Sequence, residues 1–274
     1  MSGQHPLDLV ELFLKRFVVY PSEHALVAHV LWIAHCHLMD CWDTSPRLAF
    51  MSAEKMSGKT RALEITKLLV PNGHVFLNAS PAALVRLINQ GHEAGVLPTI
   101  MHDEIDNVFK LGTSDPTNAT LLSVFNQGYT PSATVPRCVG QGTTFEVKQM
   151  PRYAAIAFAG LRGLPDTLES RTIKIRMKRR ANDEEKESFR RRRHVQEADP
   201  IAETLSGWCV MYKEDFLRAV ESDGPAMPEG IEDRTADCWE PLLAIADVAA
   251  NWACGADWPD RARAAAITHR SCQG

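Results

Sequence analysis

An α/β protein with a mainly parallel sheet is the fold class this sequence predicts, and three observations predict it. From residue 47, short apolar runs alternate with helical stretches. The first run leads through the loop "SAEKMSGKT" (52–60) into one of those helices. The third run ends in the carboxylate pair Asp103-Glu104.

Ahead of this pattern, residues 6–41 read as two helices separated by Pro21, with Ser22 as N-cap of the second. Its apolar stretch "ALVAHVLWIAHCHLM" (25–39) is too short to span a bilayer and carries three histidines, so it reads as a buried helix. The runs are 47–52, 74–78, 98–104, 153–160 and 172–177, with helices at 59–70, 80–90, 117–127 and roughly 165–170. The helix at 80–90 has Ser80 as N-cap, Pro81 in its first turn and Gly91 as its stop. Four runs are nearly all apolar, as strands covered on both faces should be. The fifth alternates Ile173, Ile175 and Met177 with Lys174, Arg176 and Lys178, which suits an edge guarded by charge. Residues 134–149 flank a "GQG" and read as a hairpin. The expected divisions are a helical segment at 1–45, a core at 46–180, a charged linker at 181–198 and a helical lid at 199–274.

Thirty basic against 34 acidic residues give a net charge of −4. That argues against a surface that binds nucleic acid as a whole and leaves room for a local basic patch. Such patches are read at 171–180 and 190–194, with a solvated, self-paired helix as the alternative. Seven scattered cysteines without a CxxC pair read as reduced thiols in a cytoplasmic protein. The beginning of the chain does not read as a secretory signal. "HCHLMDC" (35–41) reads as core packing, because a helix cannot turn four of its residues to one zinc ion.

The loop resembles a phosphate-binding loop, Gly-x4-Gly-Lys-Ser/Thr, with Ala53 in place of the first glycine. Residues Ala53, Glu54, Lys55, Met56, Ser57, Gly58, Lys59, Thr60 and Arg61 are expected to cradle the phosphates of ATP, through backbone N–H groups and the Lys59 ammonium. Thr60 is expected to hold Mg²⁺. Asp103, at a strand's C-terminal tip, would bind the same ion through water, and Glu104 would activate the attacking water. Asp106 reads as a helix cap.

Together with "LWIAHCHLMD", "LPDTLESRTIKIRMKRR" and "DRTADCWEPLLAIADVA", these motifs resemble the AAA+ branch of P-loop ATPases. More closely, the chain is similar to a family of P-loop ATPases, known as a domain of unknown function, carried by phages, prophages and mobile elements. The resemblance implies strand order 5-1-4-3-2 over the five runs, a hexameric ring and a role in DNA replication or processing in a bacterial cytoplasm. It implies that Arg171 acts as a finger in the neighbouring subunit's site, with Arg162 as fallback, and that Arg234 is a lid arginine over the nucleotide. It implies a polar sensor at the tip of the 153–160 strand, where this sequence has none unless Arg162 substitutes. An inserted hairpin in such rings can line the pore, where Arg137 and Lys148 would meet DNA. The alternative is an ATP-switched module acting on a replication or host protein without DNA contact; a small-molecule kinase is disfavoured, because Glu104 would waste ATP. No membrane contact is expected.

Overall fold

The computed structural model describes residues 3–109, 116–141, 144–180, 186–221 and 224–271. Two helices come first, α1 (Pro6–Phe17) and α2 (Glu23–Cys36). Then follow β1 (Arg47–Met51), α3 (Lys59–Leu69), β2 (Gly73–Phe76), α4 (Pro81–Ala94), β3 (Thr99–His102) and α5 (Pro116–Gln127). A hairpin of β4 (Thr134–Gln141) and β5 (Thr144–Pro151) precedes β6 (Ala155–Gly160), α6 (Asp166–Glu169) and β7 (Thr172–Arg176). The chain continues as α7 (Arg191–Met211), α8 (Lys213–Glu221), α9 (Asp233–Ala249) and α10 (Trp258–Ser271).

Five strands form one parallel sheet in the order β2-β3-β6-β1-β7. From the β7 edge this places the fifth, first, fourth, third and second runs side by side. Because the strands are parallel, their C-terminal ends share one side, and the segments after β1, β3 and β6 emerge there together.

Alternation along the strands separates two cores. Leu48, Phe50, Ala155, Ala157, Ile173 and Ile175 face a layer built from α1, α2, α3 and the C-terminal helices. Ala49, Met51, Ile100, Ile156 and Phe158 face the side covered by α4, α5 and α6. The first layer joins the two ends of the sequence: Trp258 of α10 donates to Asp8 (2.9 Å) and Arg261 to Glu11 (2.5 Å). Helix α7 starts inside the expected linker and runs unbroken through residue 198; residues 181–185 of that linker lie outside the described residues.

Local details differ from the sequence reading in two places. Gly91 does not stop α4, which continues to Ala94 and is capped by Gly95 at φ +71°. Gly91 is bare for another reason: a Cβ there would lie 2.5 Å from the Pro98 ring and 2.9 Å from the Val96 carbonyl. Strand β2 is half-buried along its whole length, because it forms the second sheet edge. The other edge, β7, is closed by α10, whose His269 Nε2 accepts from Lys174 N (2.9 Å).

Four histidines sit in the helical layer and the β7 edge in neutral form. Burial pushes His29 and His35 down to about 3, and His5 and His269 to about 4. His29 bonds the Tyr20 hydroxyl (2.6 Å) and the Thr66 hydroxyl (2.8 Å), while among the described residues neither ring nitrogen of His35 has a hydrogen-bond partner. Below the ordinary histidine value the unfolded chain binds these protons and the folded chain does not. Stability is therefore full above about pH 6.5 and falls as the pH drops toward 4, by up to ~1.4 kcal/mol per pH unit for each histidine. Urea unfolding should show a midpoint that is flat from pH 7 to 8 and drops steeply between pH 6 and 4.5; a flat midpoint across that window would contradict this account.

Candidate functional site

The loop after β1 has the backbone that an anion site needs. Gly58 (φ +82°) and Met56 (φ +61°) adopt left-handed conformations, and Gly58 stands as N-cap of α3 with no side chain capping it. The first intrahelical bond is Ala62 N to Gly58 O (2.9 Å), so the N–H groups of Lys59, Thr60 and Arg61 precede it as open donors. Ala53 is not among the positive-φ residues. Alanine therefore stands at that position without backbone strain, and the missing glycine leaves the turn intact.

Lys59 folds back over this loop. Its ammonium donates to Ser57 Oγ (2.9 Å), Glu54 O (3.1 Å) and Ser52 O (3.4 Å), so all three donors are spent on the loop. Ser57 Oγ in turn donates to Glu54 O (3.1 Å). Burial pushes the Lys59 ammonium below its ordinary value, against the opposing pull of Asp106 and then Asp103. Glu54 Oε2 accepts from Arg179 N (3.1 Å), tying the loop to the segment after β7.

The acidic strand end arrives from β3. The Thr60 hydroxyl donates to Asp103 Oδ2 (2.8 Å), which joins the loop and the carboxylate pair across 43 residues. Asp103 is buried; its Oδ1 accepts from Glu104 N (2.9 Å) and its own N–H donates to Phe76 O (2.8 Å). His102 Nδ1 donates to the Asp103 carbonyl (2.8 Å), which fixes that ring's tautomer. Glu104 is exposed and left-handed (φ +51°), and its Oε2 accepts from Asn107 Nδ2 (3.0 Å). A hydroxyl and a carboxylate side by side are the hard oxygen donors that suit Mg²⁺. Among the described residues no group of three or more His, Cys, Asp or Glu is placed to hold a metal ion.

Two clefts flank the loop and share Arg61 and Phe189, whose guanidinium and ring stack at 5.0 Å. One, of 420 Å³, lies between Phe17, Val19, Met56, Lys186 and Phe189. The other, of 480 Å³, reaches from Thr60 and Asp103 to Leu68, Val75 and Leu77. A third, mostly apolar cavity of 350 Å³ between α2, α10 and β7 contains none of the predicted site residues.

The remaining predicted residues are distributed unevenly. Arg162 stands beside the site, just past the tip of β6, with an exposed side chain. Arg171 lies at the start of β7, the opposite end of the sheet, where its guanidinium donates to Thr167 O (2.5 Å) and stacks 5.7 Å from the Tyr129 ring. Arg234 is not over the loop of its own chain. It pairs with Asp237 (3.5 Å), whose carbonyl accepts from Thr44 (2.9 Å), and that bond anchors the start of α9 beside the lead-in to β1. Arg137 and Lys148 are exposed cross-strand partners on the hairpin. Gly142 of the "GQG" tip lies outside the described residues. In the basic segment at 190–194, Arg193 pairs with Glu197 (3.0 Å) and His194 is buried against Phe17 and Phe189.

Asp106 is the site residue that sequence reading missed. It is not a helix cap: its carboxylate accepts from Leu161 N (2.5 Å) and Arg162 N (2.7 Å) at the tip of β6. The signal available was its place two residues after Glu104, but its partners are more than fifty residues away.

The family match lies in the C-terminal part of the chain. Residues 176–273 match the family described as a protein of unknown function, DUF3631. That region begins at the last residue of β7 and includes neither the loop nor the acidic turn. A 91-residue stretch is 41% identical to an uncharacterized 28.9 kDa protein in the xis 5' region of Saccharopolyspora erythraea. The match covers 33% of this chain and 30% of that protein. A crystal structure of JCV helicase bound to a phenoxyphenyl acetamide compound aligns over 87% of this chain and 60% of its own, at 14% identity and a TM-score of 0.30. So slight a likeness carries no inference about fold or activity.

The packing around the β6 tip is directly testable. A Cβ on Gly160 would lie 2.8 Å from Ile105 Cγ2, 2.9 Å from Asp106 Oδ2 and 3.1 Å from Met51 Cε. Gly160→Ala should therefore cost about 1–3 kcal/mol of stability, read as a lowered urea midpoint. An unchanged midpoint would show that the turn yields without cost.

Proposed function

We propose that the chain is a Mg²⁺-dependent ATPase, and that it works as a ring motor in phage or mobile-element DNA replication or processing. The observation that carries the ATPase reading is the Thr60–Asp103 hydrogen bond, which brings the Gly-Lys-Thr loop and the Asp-Glu strand end to one point. Open N–H donors at the start of α3 and the ammonium of Lys59 suit phosphate oxygens. Mg²⁺, held by Thr60 and through water by Asp103, would offset charge on the phosphates. Lys59 would exchange its loop carbonyls for β- and γ-phosphate oxygens. Glu104, exposed beside Asp103, would orient and deprotonate the attacking water. Phe17, Val19 and Phe189 supply an apolar wall suited to the base.

Arg171 has no route to this site within one chain, since it stands at the far end of the sheet. A ring that sets this end against the next subunit's loop gives it a phosphate to meet. The basic hairpin pair Arg137 and Lys148 would then contact DNA. The net charge of −4 favours a second reading, an ATP-switched module that remodels or binds a replication or host protein without touching DNA. DNA-stimulated turnover separates the two.

Lys59→Ala should abolish ATP binding or turnover, because the phosphate-contacting ammonium is removed; unchanged turnover would sink the ATPase reading. Glu104→Gln should still bind ATP and lose most hydrolysis, by about 10²–10⁴-fold for the loss of a general base. Full activity in that variant moves the base elsewhere. Arg171→Ala subunits mixed with Lys59→Ala subunits should regain part of the ATPase activity that neither has alone. No recovery at any mixing ratio argues against a shared site.

A further inference from the structure

The tip of β6 lacks a polar side chain, yet it is not without a polar contact. Two consecutive N–H groups there, of Leu161 and Arg162, converge on the two oxygens of Asp106 at 2.5 and 2.7 Å. These are charge-assisted bonds, among the stronger kind. Gly160 makes them possible, since any side chain at that position would meet Ile105 and Asp106. The turn that carries Asp106 also carries Glu104. One end of Glu104 is held by its N–H on Asp103 Oδ1 (2.9 Å), and its carboxylate is held by Asn107 (3.0 Å). Residues 104–107 thus form one short unit, anchored to β3 at its start and to β6 by Asp106.

We infer that Asp106 is a positioning residue: it locks the 104–107 turn to the tip of β6 and so sets where Glu104 stands relative to the phosphate loop. The inference rests on the ATPase reading for its effect on hydrolysis, and on geometry alone for its effect on the strand tip. A carboxylate is suited to the task because both of its oxygens accept. An asparagine of the same shape accepts with one oxygen and turns its NH₂ toward the other N–H.

Asp106→Asn tests this with three readouts. In the nucleotide-free protein, hydrogen exchange at the Leu161 and Arg162 amides should become faster. Affinity for a fluorescent ATP analogue should not fall, since no phosphate donor is removed and a carboxylate that pulls on Lys59 loses its charge, while single-turnover hydrolysis should fall about 10- to 100-fold, the worth of one charge-assisted hydrogen bond. Wild-type hydrolysis with faster exchange overturns the positioning role. Unchanged exchange overturns the geometric lock. Parallel losses of affinity, hydrolysis and melting temperature reduce Asp106 to a structural residue and also overturn it. A wild-type chain that neither binds nor hydrolyses ATP sinks the ATPase reading instead, and the exchange result still decides whether Asp106 holds the strand tip.

Discussion

Everything at the candidate site depends on one strand, β6, lying between β1 and β3. The loop and the acidic pair follow strands that are next-but-one neighbours, about 10 Å apart at ordinary strand spacing. Side chains must close that gap over the end of β6. Thr60 does so by reaching Asp103, and Asp106 ties the turn after β3 to the tip of β6 through Leu161 and Arg162. The Asp106 contact needs a bare Cα at Gly160, since a Cβ there would lie 2.9 Å from Asp106 Oδ2. The small-residue run "AAIAFAG" is therefore more than core filler; its last residue is shaped by what lies over it.

The parts legible in the sequence were those whose signal is local. Gly58-Lys59-Thr60 announces a loop because φ > 0, an ammonium and a hydroxyl must follow one another there. Asp103-Glu104 is legible as a strand end because an apolar run stops at two carboxylates, and β3 does end at His102. Ser80 and Pro81 start α4 by capping chemistry that reads off three residues, and Ser80 Oγ accepts from Ala83 N (3.2 Å) as expected. Gly91 was misread for the converse reason. Its need for a bare Cα comes from Pro98, which packs against it only after the chain has turned back. Asp106 was misread in the same way, as its partners Leu161 and Arg162 lie just past β6. Ala53 looked like a defect against a motif and is none, because its backbone never enters the left-handed region.

At the N-terminal end of the same sheet a different problem is solved. Arg47 is fully buried, and among the described residues no carboxylate pairs with it. Its guanidinium donates to the carbonyls of Phe125 (2.9 and 3.2 Å), Ala154 (2.9 Å) and Ser45 (3.4 Å) and lies 6.0 Å from the Tyr129 ring. Burial lowers it to about 10, so it remains charged at neutral pH. Carbonyl dipoles and a ring face replace a counter-ion. The arrangement pins α5, the lead-in to β1 and the start of β6 to one another. Gly128 is bare there as well, since a Cβ would lie 2.2 Å from the Arg152 carbonyl.

Tyr129 joins this buried cation to Arg171, which stacks on the same ring from the β7 side. Two guanidinium groups near one ring repel each other, and Arg171 lowers the buried Arg47 further. Among the described residues no carboxylate forms an ion pair with Arg171. Its hydrogen bond to Thr167 O and its contact with Tyr129 hold the guanidinium itself without neutralising it. The two ends of the sheet are therefore complementary in kind. One gathers open N–H donors and two buried or half-buried carboxylates around a lysine that is satisfied only by its own loop. The other presents an arginine held in place by neutral partners and pressed from behind by a second positive charge. A second chain placed end to end would bring an anion bound at the first to the cation at the second, which is the physical content of the shared-site proposal.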